Sequence, residues 1–267
     1  MEKEIVHIHQ VVTRLPELRF AEPVEWRICE GEQWAVVGPN GAGKTLLADI
    51  LQRKFAFREG EVCYNKEGKV SDIIRSIAFK DIYSLADCRN SYYQQRWHAT
   101  ESDDVPTVAE TLSAYEGTEN LKEVLHIFGI EDLLPKKLIY LSSGELRKFL
   151  IVRTLLSRPE ILILDNPFIG LDAPSRDLLV DMLGQLSYLH GVQVILLLSN
   201  PADIPDMITH VLPIAGKKCY PPMSRKAFLA DTALIQVLFP EENWIQTVLP
   251  VDPNKQPATH EVTFRME

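Results

Sequence analysis

The chain has 267 residues, enough for one large domain or two small ones with a core of their own. Hydrophobic residues make up 46% and charged residues 24%, which excludes a disordered, collagenous or low-complexity chain. With 37 acidic against 28 basic residues the net charge is −9, so direct nucleic-acid contact by this domain is not expected.

In chain order, short apolar or β-branched runs predict strands at Ile5–Val12, Val24–Ile28, Trp34–Val37, Ile74–Phe79, Ile161–Leu164, Val194–Leu198 and Val211–Ile214. Several are apolar throughout, as strands covered on both faces are. Helical periodicity predicts helices over Lys44–Phe55, Val108–Tyr115, Leu121–Phe128, Gly144–Leu156 and Ser175–Leu189, and a further helical stretch over Lys226–Leu238. This alternation points to an α/β layer with a largely parallel sheet, the early strands reading as antiparallel. The stretch from about Leu85 to Ser157 carries almost no strand signal and reads as a helical insertion.

Four cysteines, Cys29, Cys63, Cys88 and Cys219, form no C-x-x-C pair and have no histidine at zinc spacing. Free buried thiols in a reducing compartment are expected. The N-terminus lacks a basic segment followed by an apolar one, and runs such as Val194–Leu198 are far too short to span a bilayer. A cytoplasmic location follows as the expectation, with membrane association through partner subunits.

Gly38-Pro39-Asn40-Gly41-Ala42-Gly43-Lys44-Thr45 fits G-x-x-x-x-G-K-[ST], placed between the strand Trp34–Val37 and a helix. Its glycines let backbone N–H groups wrap a phosphate chain at a helix N-terminus. Lys44 is expected on the β- and γ-phosphates and Thr45 on Mg²⁺. A second anchor is Ile161-Leu162-Ile163-Leu164-Asp165, a buried strand ending in a carboxylate that would hold the same Mg²⁺. A third is Leu141-Ser142-Ser143-Gly144-Glu145, small polar residues at the start of a helix.

In this order and spacing the three motifs resemble those of the ATP-binding cassette (ABC) ATPases. Leu141 to Glu145 resembles the family's signature L-S-G-G-Q, and Gly170-Leu171-Asp172 resembles its D-loop. The resemblance implies a P-loop NTPase fold of α/β class: an ABC nucleotide-binding domain with a mixed sheet core and a helical signature subdomain. It implies ATP and Mg²⁺ as ligands and ATPase activity. Two such domains meet head to tail, so a second ABC domain and membrane transport subunits are the implied partners. Ser142, Ser143, Gly144, Glu145 and Asp172 would then complete the partner's nucleotide site.

A narrower resemblance is to the first cassette of ModF-type tandem ABC proteins, named for molybdate transport operons. It rests on Leu141-Ser142-Ser143-Gly144-Glu145-Leu146-Arg147-Lys148 followed by Pro167-Phe168-Ile169-Gly170-Leu171-Asp172-Ala173-Pro174-Ser175-Arg176. It implies a cassette over residues 1–218, with the helical subdomain at about 85–157, and an extension over 219–267 that leads into a second cassette. Glu261 to Glu267, which echoes Glu4 to Gln10, fits that expectation.

The sequence departs from the family pattern at the reacting centre. Where the family has a glutamate after the strand aspartate, Asn166 stands; an amide holds a water but cannot take its proton. Where the family has a switch histidine, Asn200 stands. The site therefore reads as degenerate, binding ATP but turning it over slowly or not at all. For the family's Q-loop glutamine, Gln95 is favoured and Asp81 fits an alternative register. No aromatic lies between Gln10 and Arg19 to stack on adenine, and Phe20 is the nearest.

Overall fold

The computed structural model describes residues 3–79 and 105–240. Its smaller sheet is antiparallel, in the order β2-β1-β4: β1 (Glu4–Thr13), β2 (Val24–Cys29) and β4 (Phe57–Tyr64). One face of it is apolar and closed: Val6, Ile8, Trp26, Ile28 and Val62 are buried. The other face carries His7, His9, Glu25 and Arg27, as the two-residue period of a half-covered strand requires.

The larger sheet has the order β10-β8-β3-β7-β6-β5, with β9 paired to β8. Five of its strands, β3 (Trp34–Val37), β5 (Ile74–Ala78), β6 (Ile161–Asp165), β7 (Gln193–Leu198) and β8 (His210–Ala215), are parallel to one another. Every residue of β3, β6 and β7 is buried, because helices cover one face and α1 with the small sheet covers the other. β9 (Lys218–Cys219) and β10 (Met223–Ser224) add antiparallel pairs at the β8 side. The sheet is mixed, and the early strands are antiparallel, as the sequence implies.

The helices begin where their caps allow. α1 (Lys44–Leu51) follows directly from the glycine-rich loop after β3, and α2 (Val70–Ile73) is a single turn before β5. α3 (Val108–Leu112) and α5 (Ser143–Leu155) each open on a reciprocal capping box, Thr107 with Glu110 and Ser142 with Glu145. α4 (Glu119–Phe128) ends on Gly129 in a left-handed conformation. α6 (Ala173–His190) is capped by Asp172, carries Pro174 in its first turn, and stops at left-handed Gly191. Between residues 105 and 157 the described residues hold α3, α4, α5, several 3-10 turns and the isolated bridge Thr107–Lys137. No described helix is long and apolar enough to cross a membrane.

Four differences from the sequence reading have local causes. The helix expected to reach Phe55 ends at Leu51, because Arg53 turns left-handed (φ 52°) and ties its guanidinium to the Val62 carbonyl. The helix expected over Val108–Tyr115 gives way to a 3-10 turn at Ser113–Tyr115. The stretch Lys226–Leu238 is two helices, α7 (Arg225–Ala230) and α8 (Thr232–Leu238), split where Asp231 accepts the Leu234 N–H as a new cap. The domain limit expected at residue 218 runs through β9. Beyond it Phe228 and Leu238 are fully buried in the same apolar cluster as β6 and β7.

Candidate functional site

The parallel strands β3, β6 and β7 end side by side, and the segments leaving them build one polar centre. From β3 the chain enters Gly38-Pro39-Asn40-Gly41-Ala42-Gly43 and then α1. Gly38 is demanded sterically: a Cβ there would lie 1.9 Å from the Ile214 carbonyl oxygen at the end of β8. Lys44 is 5% exposed, and its Nζ donates to the carbonyls of Gly38 (2.7 Å) and Pro39 (3.0 Å). A buried ammonium curled over its own loop is a cation held ready for an anion in that loop.

At the end of β6 Asp165 is 5% exposed and accepts two hydrogen bonds. Thr45 Oγ1 donates to Oδ2 at 2.7 Å, across 120 residues of sequence, and Asn166 Nδ2 donates to Oδ1 at 2.7 Å. A hydroxyl and a carboxylate meeting beside a phosphate cradle are hard oxygen donors, the set that Mg²⁺ takes. The residues present therefore fit a magnesium nucleotide.

Asn166 adopts a left-handed backbone (φ 51°), which an asparagine tolerates better than most residues. Its Oδ1 accepts from Ser199 Oγ at 3.0 Å, and Ser199 Oγ is also 2.9 Å from Asn40 Oδ1. Ser199 thus links the glycine-rich loop to the segment after β6. The sequence reading passed over it, because a serine after a strand belongs to no motif; its place between two parallel strand ends was the available signal. Asn40, Asn166 and Ser199 line a concavity of 420 Å³ together with Phe168 and the ion pair Arg176–Asp203, 2.6 Å.

Asn200 stands just outside this group. It is exposed, and its Oδ1 accepts from the Ala202 N–H at 3.0 Å, capping the turn Pro201–Asp203. Gln95 and its alternative Asp81 lie outside the described residues. The Phe20 ring comes within 3.3 Å of the position a Cβ on Gly43 would take, which puts an aromatic side chain against the start of α1.

Ser142, Gly144 and Glu145 line a second concavity of 220 Å³ together with Ser175, and it shares Leu171 with the first. Ser142 and Ser143 are exposed at the N-terminus of α5. Ser142 Oγ accepts from Glu145 N–H (3.2 Å), Glu145 Oε2 accepts from Ser142 N–H (2.8 Å), and Lys136 Nζ donates to Glu145 Oε1 (2.8 Å). The Lys136 ammonium and the Ser142 N–H hold the Glu145 carboxyl below its ordinary range. Asp172 accepts from the Ser175 N–H (3.1 Å) at the head of α6, and the Ser175 hydroxyl together with this N–H holds its carboxyl low. Buried Arg147 donates to the Ile169 carbonyl (2.8 Å), tying α5 to the segment before Asp172.

A family model described as "ABC transporter" matches residues 21–169. An uncharacterised ABC transporter ATP-binding protein of Schizosaccharomyces pombe is 31% identical over 204 residues, 73% of this chain and 42% of its own length. The ABC transporter ATP-binding protein ModF of Escherichia coli is 28% identical over 264 residues, 96% of this chain and 51% of its own length. The chain spans about half the length of these two relatives. The solved structure of cbiO1 from Clostridium perfringens, part of the ABC transporter complex cbiONQ, has a TM-score of 0.71. The match covers 90% of this chain and 96% of that one at 18% identity, a likeness of fold.

Proposed function

The chain belongs to the ATP-binding cassette (ABC) family, and from that premise we propose that it is one cassette of a two-cassette, ATP-gated clamp. It serves transport of a small solute, an oxyanion of the molybdate kind, through separate membrane subunits. Its own site holds ATP rather than hydrolysing it.

The nucleotide's phosphates rest on the backbone of Gly38 to Gly43 and the N-terminus of α1. Lys44 Nζ leaves the carbonyls of Gly38 and Pro39 for phosphate oxygens. Thr45 and Asp165 hold Mg²⁺, which supplies charge neutralisation at those oxygens. Asn166 fixes a water by its amide and leaves that water's proton in place. Asn200 adds a neutral contact at most. Ser142, Ser143 and Gly144 offer a helix N-terminus to the nucleotide of the facing cassette, and Asp172 sits beside them.

The single observation that carries this reading is the link Thr45–Asp165–Asn166–Ser199–Asn40. It supports the reading of a phosphate and metal site with an amide in the place of a base. Titration with Mg-ATP, followed by recovery of the bound nucleotide, tests it. The expected result is saturable binding, lost in Lys44→Ala, with the nucleotide recovered as ATP. Equal affinity in the variant, or recovery as ADP, would overturn it.

A further inference from the structure

On the solvent face of the small sheet, outside the motifs above, two imidazoles and a carboxylate converge. His7 and His9 are two residues apart on β1, so both stand on the face opposite buried Val6 and Ile8. Glu25 reaches them from β2. His7 Nε2 lies 2.6 Å from Glu25 Oε1, and His9 Nδ1 lies 3.3 Å from Glu25 Oε2. One ligand atom from each of the three lies within 4.8 Å of the others.

The backbone is shaped for this convergence. Beyond His9 the β1 ladder shifts register on both sides, and Gln10 is left-handed (φ 46°). Gly60 on β4 accommodates the bulge, since a Cβ there would lie 2.2 Å from the Gln10 carbonyl oxygen. A bulge re-aims the side chains beside it. Here it also turns the Gln10 N–H and side-chain amide onto Glu25 Oε2, each at 3.1 Å, so the carboxylate is oriented by groups that are not themselves ligands.

We propose that His7, His9 and Glu25 form a binding site for a divalent transition-metal cation of the Zn²⁺ type, pinning β1 to β2 at the bulge. Two imidazole nitrogens and one carboxylate oxygen are a donor set that zinc takes, with a fourth position left for water. Ligand atoms around a tetrahedral zinc stand about 3.4 Å apart. His9 Nδ1 already stands at that spacing from Glu25 Oε2; His7 Nε2 lies 2.6 Å from the other oxygen, Oε1, so the carboxylate has to turn to present one oxygen to both imidazoles. Glu61 and Cys63, the cross-strand partners of His9 and His7 on β4, share this face, and their carboxylate and thiol also favour a cation. The opposing charge is Arg27, whose Nε is 3.3 Å from His7 Nε2; its side chain is 65% exposed and turns outward freely.

The test uses the whole chain, stripped with a chelator, without nucleotide or phosphate, and titrated with Zn²⁺ alone. One equivalent is expected to bind saturably at micromolar concentrations and to raise the thermal midpoint. Glu25→Gln and His9→Ala are each expected to lose roughly tenfold or more in affinity. His9 is exposed, so far-UV circular dichroism of its variant is expected to match that of the unmodified chain. Co²⁺ in place of Zn²⁺ is expected to give the visible absorption of a tetrahedral site. Absence of saturable uptake overturns the proposal. So does uptake unchanged in His9→Ala and lost in Asp165→Asn, which would put the ion at the phosphate site.

Discussion

Gly38 shows how one position couples the site to the fold. Its missing side chain lets the chain leave β3 in contact with the Ile214 carbonyl of β8, and the glycine-rich loop starts from that contact. Gly38→Ala forces backbone against backbone and is expected to cost about 1–3 kcal/mol in chemical denaturation, with Mg-ATP affinity falling in parallel. Stability and affinity both unchanged would mean that the contact does not set the loop. Asn166 is a different kind of residue. Its amide is used at both ends, donating to Asp165 and accepting from Ser199, and its backbone is left-handed. The sequence shows an amide where the family pattern has a carboxylate; the structure adds that this amide is bonded to Asp165 on one side and to Ser199 on the other.

At the level of elements, the start of α5 carries the exposed motif, and its capping box explains why a glutamate fits there. Glu145 satisfies the Ser142 N–H and pairs with Lys136, so its carboxyl titrates below its usual value of 4.5. A depressed carboxyl pKa in the folded state stabilises the fold above the unfolded-state pKa and loses that effect as pH falls through the folded-state value. Glu145→Gln is therefore expected to be less stable than the unmodified chain near neutral pH. That gap is expected to close in thermal melts as the pH drops below 4.5; a gap independent of pH would contradict the ionic origin.

Elements with strong periodicity or a motif were legible in the sequence. β3, β6 and β7 are unbroken apolar runs, and the loop before α1 is defined by its glycines and lysine. β4 was not legible. Of its eight residues, Val62 alone is buried, and charged residues and Gly60 make up most of the rest, so its pairing with β1 is decided by tertiary contact. The two helices after β10 were read as one for a related reason. Asp231 favours a cap over a helix interior, but the apolar spacing runs on across it and does not register the break.

For the whole molecule, the two concavities divide the labour. One gathers the strand ends, with Asn40, Asn166 and Ser199; the other gathers the heads of α5 and α6, with Ser142, Gly144 and Glu145. Arg147 and Leu171 join them through the segment between β6 and α6. On the proposed two-cassette reading, this shared segment is the route by which a ligand at the first site would reach the surface offered to a facing cassette. The acidic balance of the chain, −9 overall, belongs to this one cassette and leaves the charge of any assembled pair open to its partner. The central claim is that this cassette holds ATP because Asn166 and Asn200 withhold the proton chemistry. It is tested most directly by single-turnover hydrolysis of Mg-ATP by the unmodified chain and by the double variant Asn166→Glu, Asn200→His. The account predicts that the double variant is faster by at least about 10²-fold, and the claim is contradicted if the unmodified chain already hydrolyses ATP as fast as the double variant.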